Sequence, residues 1–253
     1  MNNIEILGTL ISNFTMNEAV KIIEELAKER KQAFVVTPNV DHIVRLQNDK
    51  EFKQIYKNAA LVLTDGMPIL WAARFLGTPL KEKISGSDLV PEICKLAERK
   101  GYKLFFLGGR PGAAQRAKEK LEEKFPFIKI VGAYAPSFGF ENYPGEDEKI
   151  VKLIKESSPD ILLVGLGTPK QEKWIYRHYK DLNVPVSIGV GATFEFIAGV
   201  IKRAPRWMQK SGLEWLWRLM REPERLWKRY LIDDMKFFWL VFLQRMGRET
   251  FNP

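Results

Sequence analysis

The stretch DILLVGLGTPKQEKW, Asp160 to Trp174, carries three signals in succession. Ile161 to Val164 is an unbroken apolar run of strand length, Gly165 and Gly167 punctuate a turn, and Pro169 opens a helix. Proline in a first helical turn loses nothing, because its missing N–H would be unpaired there. The helix start leaves backbone N–H groups open beside glycines that allow another molecule to approach closely. Lys170, Gln171 and Glu172 crowd the same turn. A strand that feeds a polar, glycine-flanked helix start is where an open α/β sheet places its ligand.

Working outward, the same alternation repeats. Apolar strand-like runs occupy 4–7, 33–36, 60–63, 102–107, 128–131 and 184–190. Between them lie helical stretches at 15–30, most of 40–58, 68–75, 87–100, 113–125 and 146–156, with an irregular loop at 137–145. The first helix shows its start in Thr15 and Glu18, a capping-box spacing, and its apolar face in Ala19, Ile22, Ile23 and Leu26. Strand–helix alternation predicts an α/β fold: a Rossmann-like, mostly parallel sheet with helices on both faces. Five strands end in Gly, Thr, Asn or Asp, at 37–39, 64–66, 108–112, 165–168 and 191–193. In a parallel sheet those ends share one edge, and the site is expected there.

Composition narrows the class. An apolar content of 45% and a charged content of 28% are ordinary for a soluble globular chain. The lone Cys94 excludes an internal disulfide framework and a thiolate zinc cluster, and with only His42 and His178 besides no metal site is expected. The N-terminal stretch carries Glu5 and no long apolar segment, so no signal peptide is expected. The longest apolar run near the end, 237–243, is far shorter than the ~20 residues of a spanning helix. A cytoplasmic chain is the default expectation. Net charge is +9, unevenly placed: from Lys202 to Arg248 twelve basic residues face five acids, and five of the seven tryptophans lie there. The expected organisation is therefore an α/β catalytic domain over 1–199 and a basic, Trp-rich helical appendage over 200–253. Such a tail implies an anionic surface as partner.

Asp65 follows an apolar strand, where partial desolvation raises a carboxylate's pKa toward that of a general base. The plainer account is a turn, with Asp65 capping the helix at Pro68. Thr37 and Asn39 either point hydrogen-bonding groups at a ligand or, with Thr37 as cap and Pro38 at the first helical position, simply start a helix. Gly108-Gly109-Arg110-Pro111-Gly112 is neither a P-loop nor a dinucleotide fingerprint, yet its backbone N–H groups suit a phosphate or nucleoside. Lys170, Gln171 and Glu172 read equally well as first-turn surface residues, with Glu172 favoured there by the helix dipole. There is no Asp-x-Asp pair of the kind that holds a metal on a sugar diphosphate. Charge leaving on a diphosphate then falls to arginines, which bond bidentately. On a helical wheel Arg218, Arg221, Arg225 and Arg229 share one side, and Leu213, Leu216, Trp217, Met220, Trp227 and Leu231 another, with Pro223 breaking the helix in two. That pattern is either a solvated basic face or a surface for the membrane interface.

Taken together, these stretches resemble the WecG/TagA/CpsF family of bacterial glycosyltransferases. The resemblance runs through Thr37-Pro38-Asn39, Thr64-Asp65-Gly66, the ISGSDL run 84–89, Phe106-Leu107-Gly108-Gly109, the GLGTPKQE run 165–172 and the GVGATF run 189–194. It continues through RAPRWMQ at 203–209, Gly212-Leu213-Glu214-Trp215, Glu222-Pro223 and Arg225. It implies an inverting, metal-independent hexosyltransferase without a cofactor. The sugar, N-acetylmannosamine or its uronic acid, passes from a UDP-sugar to an undecaprenyl-diphosphate-linked saccharide. The setting is teichoic acid, enterobacterial common antigen or exopolysaccharide synthesis, at the inner face of the cell membrane. Asp65 matches the family's base, with Thr37 beside it; Asn39, Gln171 and Glu195 match donor contacts; Arg218, Arg221 and Arg225 match the arginines thought to close over the diphosphate. Gly108, Gly109, Lys170 and Thr193 complete the expected substrate-binding set. Lys83 stands where some members have Arg, and Glu195 where many have Asp. No nucleic acid is expected as partner, and the oligomeric state, a homo-oligomer included, is left open. Two other readings stay open from residues alone: a basic nucleic-acid-binding module built on the tail, and a nicotinamide-dependent oxidoreductase.

Overall fold

The computed structural model describes residues 2–247; Arg248 of the tail's charge count, and the rest of the predicted appendage up to 253, lie outside them. The chain opens with an antiparallel hairpin, β1 (Asn3–Ile6) and β2 (Thr9–Ser12). Its turn residues Leu7 and Gly8 both take positive φ, 49° and 70°, as a right-twisted two-residue hairpin turn demands. Only β1 was expected, because Leu-Gly lacks the Asn-Gly or Asp-Gly signature of such turns. There follow α1 (Met16–Lys28), β3 (Ala33–Val36), α2 (Val40–Arg45) and α3 (Lys50–Asn58). The long helix expected over 40–58 is thus two, because Asp49 starts a new one: its carboxylate accepts the Phe52 N–H at 2.9 Å. Next come β4 (Leu61–Val62), α4 (Met67–Phe75), α5 (Gly86–Lys100), β5 (Lys103–Gly108), α6 (Ala113–Lys124) and β6 (Lys129–Tyr134). A single 3₁₀ turn, Phe140–Asn142, interrupts the loop that leads to α7 (Glu146–Ser157). Then come β7 (Ile161–Gly165), α8 (Lys170–His178), β8 (Val186–Gly189) and α9 (Thr193–Ala198). The tail holds α10 (Arg206–Lys210), α11 (Glu214–Arg221), α12 (Pro223–Lys228), a π-helical segment (Arg229–Asp233) and α13 (Met235–Arg245). Pro223 begins α12, the break its ring imposes.

Two compact units emerge, and neither is continuous in the chain. One comprises Met16–Val36 and Gly86–Ile201; the other comprises 2–15, Thr37–Ser85 and, within the described residues, 202–247. In the first, the strands run parallel in the order β3-β8-β7-β5-β6. These strands are apolar on both sides, as Ile161, Leu162, Leu163 and Val164 illustrate with no exposed surface, because helices cover both faces. The covering follows from connectivity. The crossover β5-α6-β6 moves one way across the sheet, while β6-α7-β7 and β7-α8-β8 move the other. Right-handed crossovers in opposite directions lay α6 on one face and α7 and α8 on the other. The strand order therefore reverses between β5 and β7, and an open α/β sheet has its crevice at that reversal.

Glycines line the crevice, and geometry leaves no alternative at Gly108. The Gly109 N–H donates to the Gly165 carbonyl at 2.8 Å. A Cβ on Gly108, whose φ is +107°, would lie 2.5 Å from that same oxygen. A Cβ on Gly165 would lie 2.7 Å from the Gly191 carbonyl oxygen, and one on Gly86 2.7 Å from the Val190 carbonyl oxygen.

The other unit packs its tail against its N-terminal segments. The Leu7 N–H donates to Gln244 Oε1 at 3.0 Å, and Gln47 Nε2 donates to the Leu7 carbonyl at 3.2 Å. Leu226, Phe237 and Val241 are buried there.

Gly108→Ala is expected to cost at least about 2 kcal/mol of stability, the sum of a left-handed backbone and a backbone clash. Gly167→Ala, with φ +78° but open space around its Cβ, is expected to cost only about 1 kcal/mol. Urea unfolding of the two variants beside wild type checks the difference; equal losses would contradict the close approach at Gly108.

Candidate active site

In the sheet-bearing unit the three strand ends of the crevice bring together Gly108, Gly109, Gln171, Thr193 and Glu195. Pro169 takes the N-cap position of α8, not its first turn as expected, and the Thr168–Pro169 peptide is cis. Gln171 and Glu172 are buried, which corrects the surface reading of that turn. The Gln171 amide is held at both ends: Nε2 donates to Glu172 Oε1 at 2.6 Å, and Oε1 accepts the Gly191 N–H at 3.1 Å. Gly189 makes room for that amide, since a Cβ there would stand 3.0 Å from Gln171 Nε2. Gln171 thus ties the end of β8 to the start of α8. Thr193 Oγ1 donates to the Val190 carbonyl at 2.5 Å and lies 3.3 Å from Ser87 Oγ. The Arg110 N–H donates to Glu195 Oε1 at 3.3 Å, so this carboxylate orders the glycine loop after β5. Lys170 stands at the margin: it pairs with the Glu141 carboxylate and lies 4.9 Å from the ring centre of Phe138. The pairing holds the Glu141 carboxyl below the usual carboxylate range.

In the tail-bearing unit the turn after β4 closes on the turn before α2. The Asp65 N–H donates to the Pro38 carbonyl at 2.8 Å, and the Ile84 N–H donates to the Thr64 carbonyl at 2.7 Å. Asp65 is half-buried beside the segment that carries buried Thr37 and half-buried Asn39. Asp65 does not cap α4; that position belongs to Gly66, at φ 110°. Likewise Asn39, not Thr37, occupies the cap of α2. Of the tail arginines, Arg218 is half-buried, Arg221 lies 4.8 Å from the Trp217 ring centre, and Arg225 pairs with Glu222 on the surface.

Sequence reasoning passed over a cluster beside Asn39. Arg229 Nη2 donates to Asn39 Oδ1 at 3.1 Å and lies 3.7 Å from Asp41 Oδ2, while its Nε is 4.0 Å from Asp234 Oδ2. The available signal was the place of Arg229 four residues after Arg225 on the same side of the wheel. Its partners were hidden by the π-helical turn, which no residue pattern announces. Burial pushes the Asp234 carboxyl up to about 6, against the opposing pull of Arg229, with Asp41 and Asp233 adding to the rise. Among the described residues no group of three or more His, Cys, Asp or Glu side chains is placed to hold a metal ion.

A glycine crevice at the reversal point of a doubly wound sheet defines a ligand-binding α/β protein. Residues 4–250 match the model of the family described as glycosyl transferase WecG/TagA/CpsF, and the chain belongs to that family. It is a glycosyltransferase. One similar protein, the N-acetylglucosaminyldiphosphoundecaprenol N-acetyl-beta-D-mannosaminyltransferase of Staphylococcus aureus (strain MW2), is 32% identical over 228 residues, covering 89% of this chain and 86% of that one. The protein of the same name from Bacillus subtilis (strain 168) is 29% identical over 221 residues, covering 87% and 83%.

The pH dependence at Asp234 has a definite sign. In the unfolded chain this carboxyl titrates near the ordinary aspartate value of 3.8, in the folded chain at about 6. Between those values the folded state holds a proton that the unfolded state has lost, so stability falls as pH rises through the window. The expected fall is on the order of 3 kcal/mol from pH 3.8 to 6. Chemical denaturation at several pH values checks it, and Asp234→Asn should flatten that part of the profile.

Proposed function

We propose that the chain transfers N-acetylmannosamine, or its uronic acid, from a UDP-sugar to an undecaprenyl-diphosphate-linked saccharide. The transfer inverts the anomeric centre and uses no metal. The observation that carries the reading is a family match over nearly the whole chain, with relatives whose names state N-acetylmannosaminyl transfer and an undecaprenol-diphosphate acceptor. The backbone bond from Asp65 to Pro38 supports it locally, because it holds the proposed base next to Thr37 and Asn39.

In this reading Asp65 takes the proton of an acceptor hydroxyl, whose oxygen attacks the anomeric carbon from the side opposite the leaving group. The bond from that carbon to the diphosphate breaks, and its electron pair departs with UDP. Thr37 sits beside the base. Asn39, Lys170, Gln171, Thr193 and Glu195 hold the donor or the loops that meet it, and Gly108 and Gly109, without side chains, let its phosphates approach closely. Arg218, Arg221 and Arg225 meet the charge that develops on the leaving diphosphate.

The tail bears on where the acceptor is met. Trp207, Met220, Trp227, Leu231, Trp239 and Phe242 are exposed among the cations Lys210, Arg221, Arg225, Lys228, Lys236 and Arg245. Exposed apolar side chains interleaved with cations suit an anionic lipid surface better than a nucleic acid backbone. Among the described residues no helix is long and apolar enough to cross a membrane, so the proposed attachment is peripheral, on the inner face.

Asp65→Asn is expected to keep its fold and bind UDP while transfer falls by about 10²–10⁴-fold. An assay with UDP-N-acetylmannosamine and a lipid-diphosphate-linked N-acetylglucosamine acceptor checks this, and normal turnover would remove Asp65 from its role. Trp239→Glu should weaken sedimentation with vesicles containing phosphatidylglycerol and leave UDP binding unchanged; undiminished sedimentation would count against the tail as the anchoring surface.

A further inference from the structure

We propose that Arg229 is a positioning residue that fixes which end of the Asn39 amide is offered to the substrate. The inference rests on the reading of Asn39 as a donor contact.

A guanidinium only donates hydrogen bonds. The Asn39 side-chain atom 3.1 Å from Arg229 Nη2 must therefore be the carbonyl oxygen, which settles an amide orientation that is otherwise open to a flip. The His42 ring nitrogen Nδ1, 2.9 Å from the same oxygen, accepts the Asn39 backbone N–H at 3.2 Å and so brings that oxygen no proton. With the oxygen held by Arg229, the NH₂ end is left for a ligand. Asn39 then recognises an acceptor oxygen, of a phosphate or of a carbonyl, and not a hydroxyl or amide proton.

Arg229 is itself braced for this task. It lies between the carboxylates of Asp41 and Asp234, and its guanidinium is 5.6 Å from the Tyr230 ring centre. Asp41 is in turn gripped by Arg45, whose Nε is 3.1 Å from both carboxylate oxygens. The π-helical segment makes the arrangement: its i+5 bond, from the Asp234 N–H to the Arg229 carbonyl at 2.7 Å, sets Arg229 and Asp234 on neighbouring positions of one widened turn. Such turns cost helix geometry and recur at functional sites. Arg218, Arg221 and Arg225 precede this turn on α11 and α12, whereas Arg229 lies on it and bonds Asn39, so it acts by a route separate from theirs.

The test is a double-mutant cycle read by calorimetric UDP binding. Arg229→Met should weaken UDP binding about tenfold, as expected for loss of a charged hydrogen bond that holds a recognition group. Asn39→Asp keeps oxygens for Arg229 but lacks the NH₂, and should bind UDP as poorly as Asn39→Ala. In the Asn39→Ala background, Arg229→Met should add less than about a twofold loss. A merely structural role would lower the melting temperature without this dependence on Asn39, and multiplying losses would overturn the proposal. A second readout does not need the donor: the ¹⁵N side-chain amide signals of Asn39, identified by their disappearance in Asn39→Ala, should shift and broaden in Arg229→Met and largely recover in Arg229→Lys. Unchanged signals overturn the positioning role. Absence of UDP binding by wild type together with shifted signals would overturn the donor reading and leave the positioning role standing.

Discussion

A single backbone hydrogen bond, from the Gly109 N–H to the Gly165 carbonyl, fixes the point on which the sheet-bearing unit depends. It joins the ends of β5 and β7, the two strands between which the chain reverses its direction across the sheet. Side chains are excluded from this junction by distance, not by preference: a Cβ on Gly108 or on Gly165 would stand 2.5 or 2.7 Å from the carbonyl oxygen it faces, well inside contact distance. What remains on the surface of the crevice is peptide group. Around it the buried polar residues serve the backbone. Gln171 anchors Gly191, Glu195 anchors the Gly109–Arg110 loop, and Thr193 anchors Val190. Their burial is affordable only because each polar atom named here has a partner within the loops it holds.

The fold was largely legible in the residue order. Strand ends rich in Gly, Thr, Asn and Asp mark one edge of a parallel sheet, and apolar runs such as Ile161 to Val164 can lie only inside one. What escaped was local. The β1–β2 hairpin turns through Leu7 and Gly8, a pair without the usual turn residues. Asp49 starts a second helix within the single helical stretch expected there. For the site, the residue types were readable and their engagement was not. Gln171 and Glu172 look like the polar first turn of a surface helix, and only the approach of Gly189 and Gly191 shows that they are enclosed. Arg229 is one arginine among several on a wheel; the π-helical turn that separates its role from the others has no signature in hydrophobic period.

The two units differ in what they ask of charge. The sheet-bearing unit presents peptide groups and glycine at its crevice. The tail-bearing unit carries most of the excess positive charge, and around Asn39 it sets one guanidinium against two carboxylates, one of them lifted to about 6 by burial. A group poised there is sensitive to the charge state of its neighbours in a way that peptide dipoles are not. Family membership assigns the chemistry, glycosyl transfer; this division of labour describes how the chain distributes recognition and charge.

The hydrogen bond from Leu7 to Gln244 spans 237 positions of sequence. A ribosome adding roughly 5–20 residues per second makes the first of these partners tens of seconds before the second. During that interval the sheet-bearing unit can be complete, since its last residue is Ile201. The unit that carries Asp65 and Asn39 cannot be, because Leu226, Phe237 and Val241 of its interior do not yet exist. The nascent chain can thus hold an assembled sheet while the other unit still lacks residues 226–241. The segment that brings most of the excess positive charge and the exposed tryptophans is also the one whose arrival closes that unit.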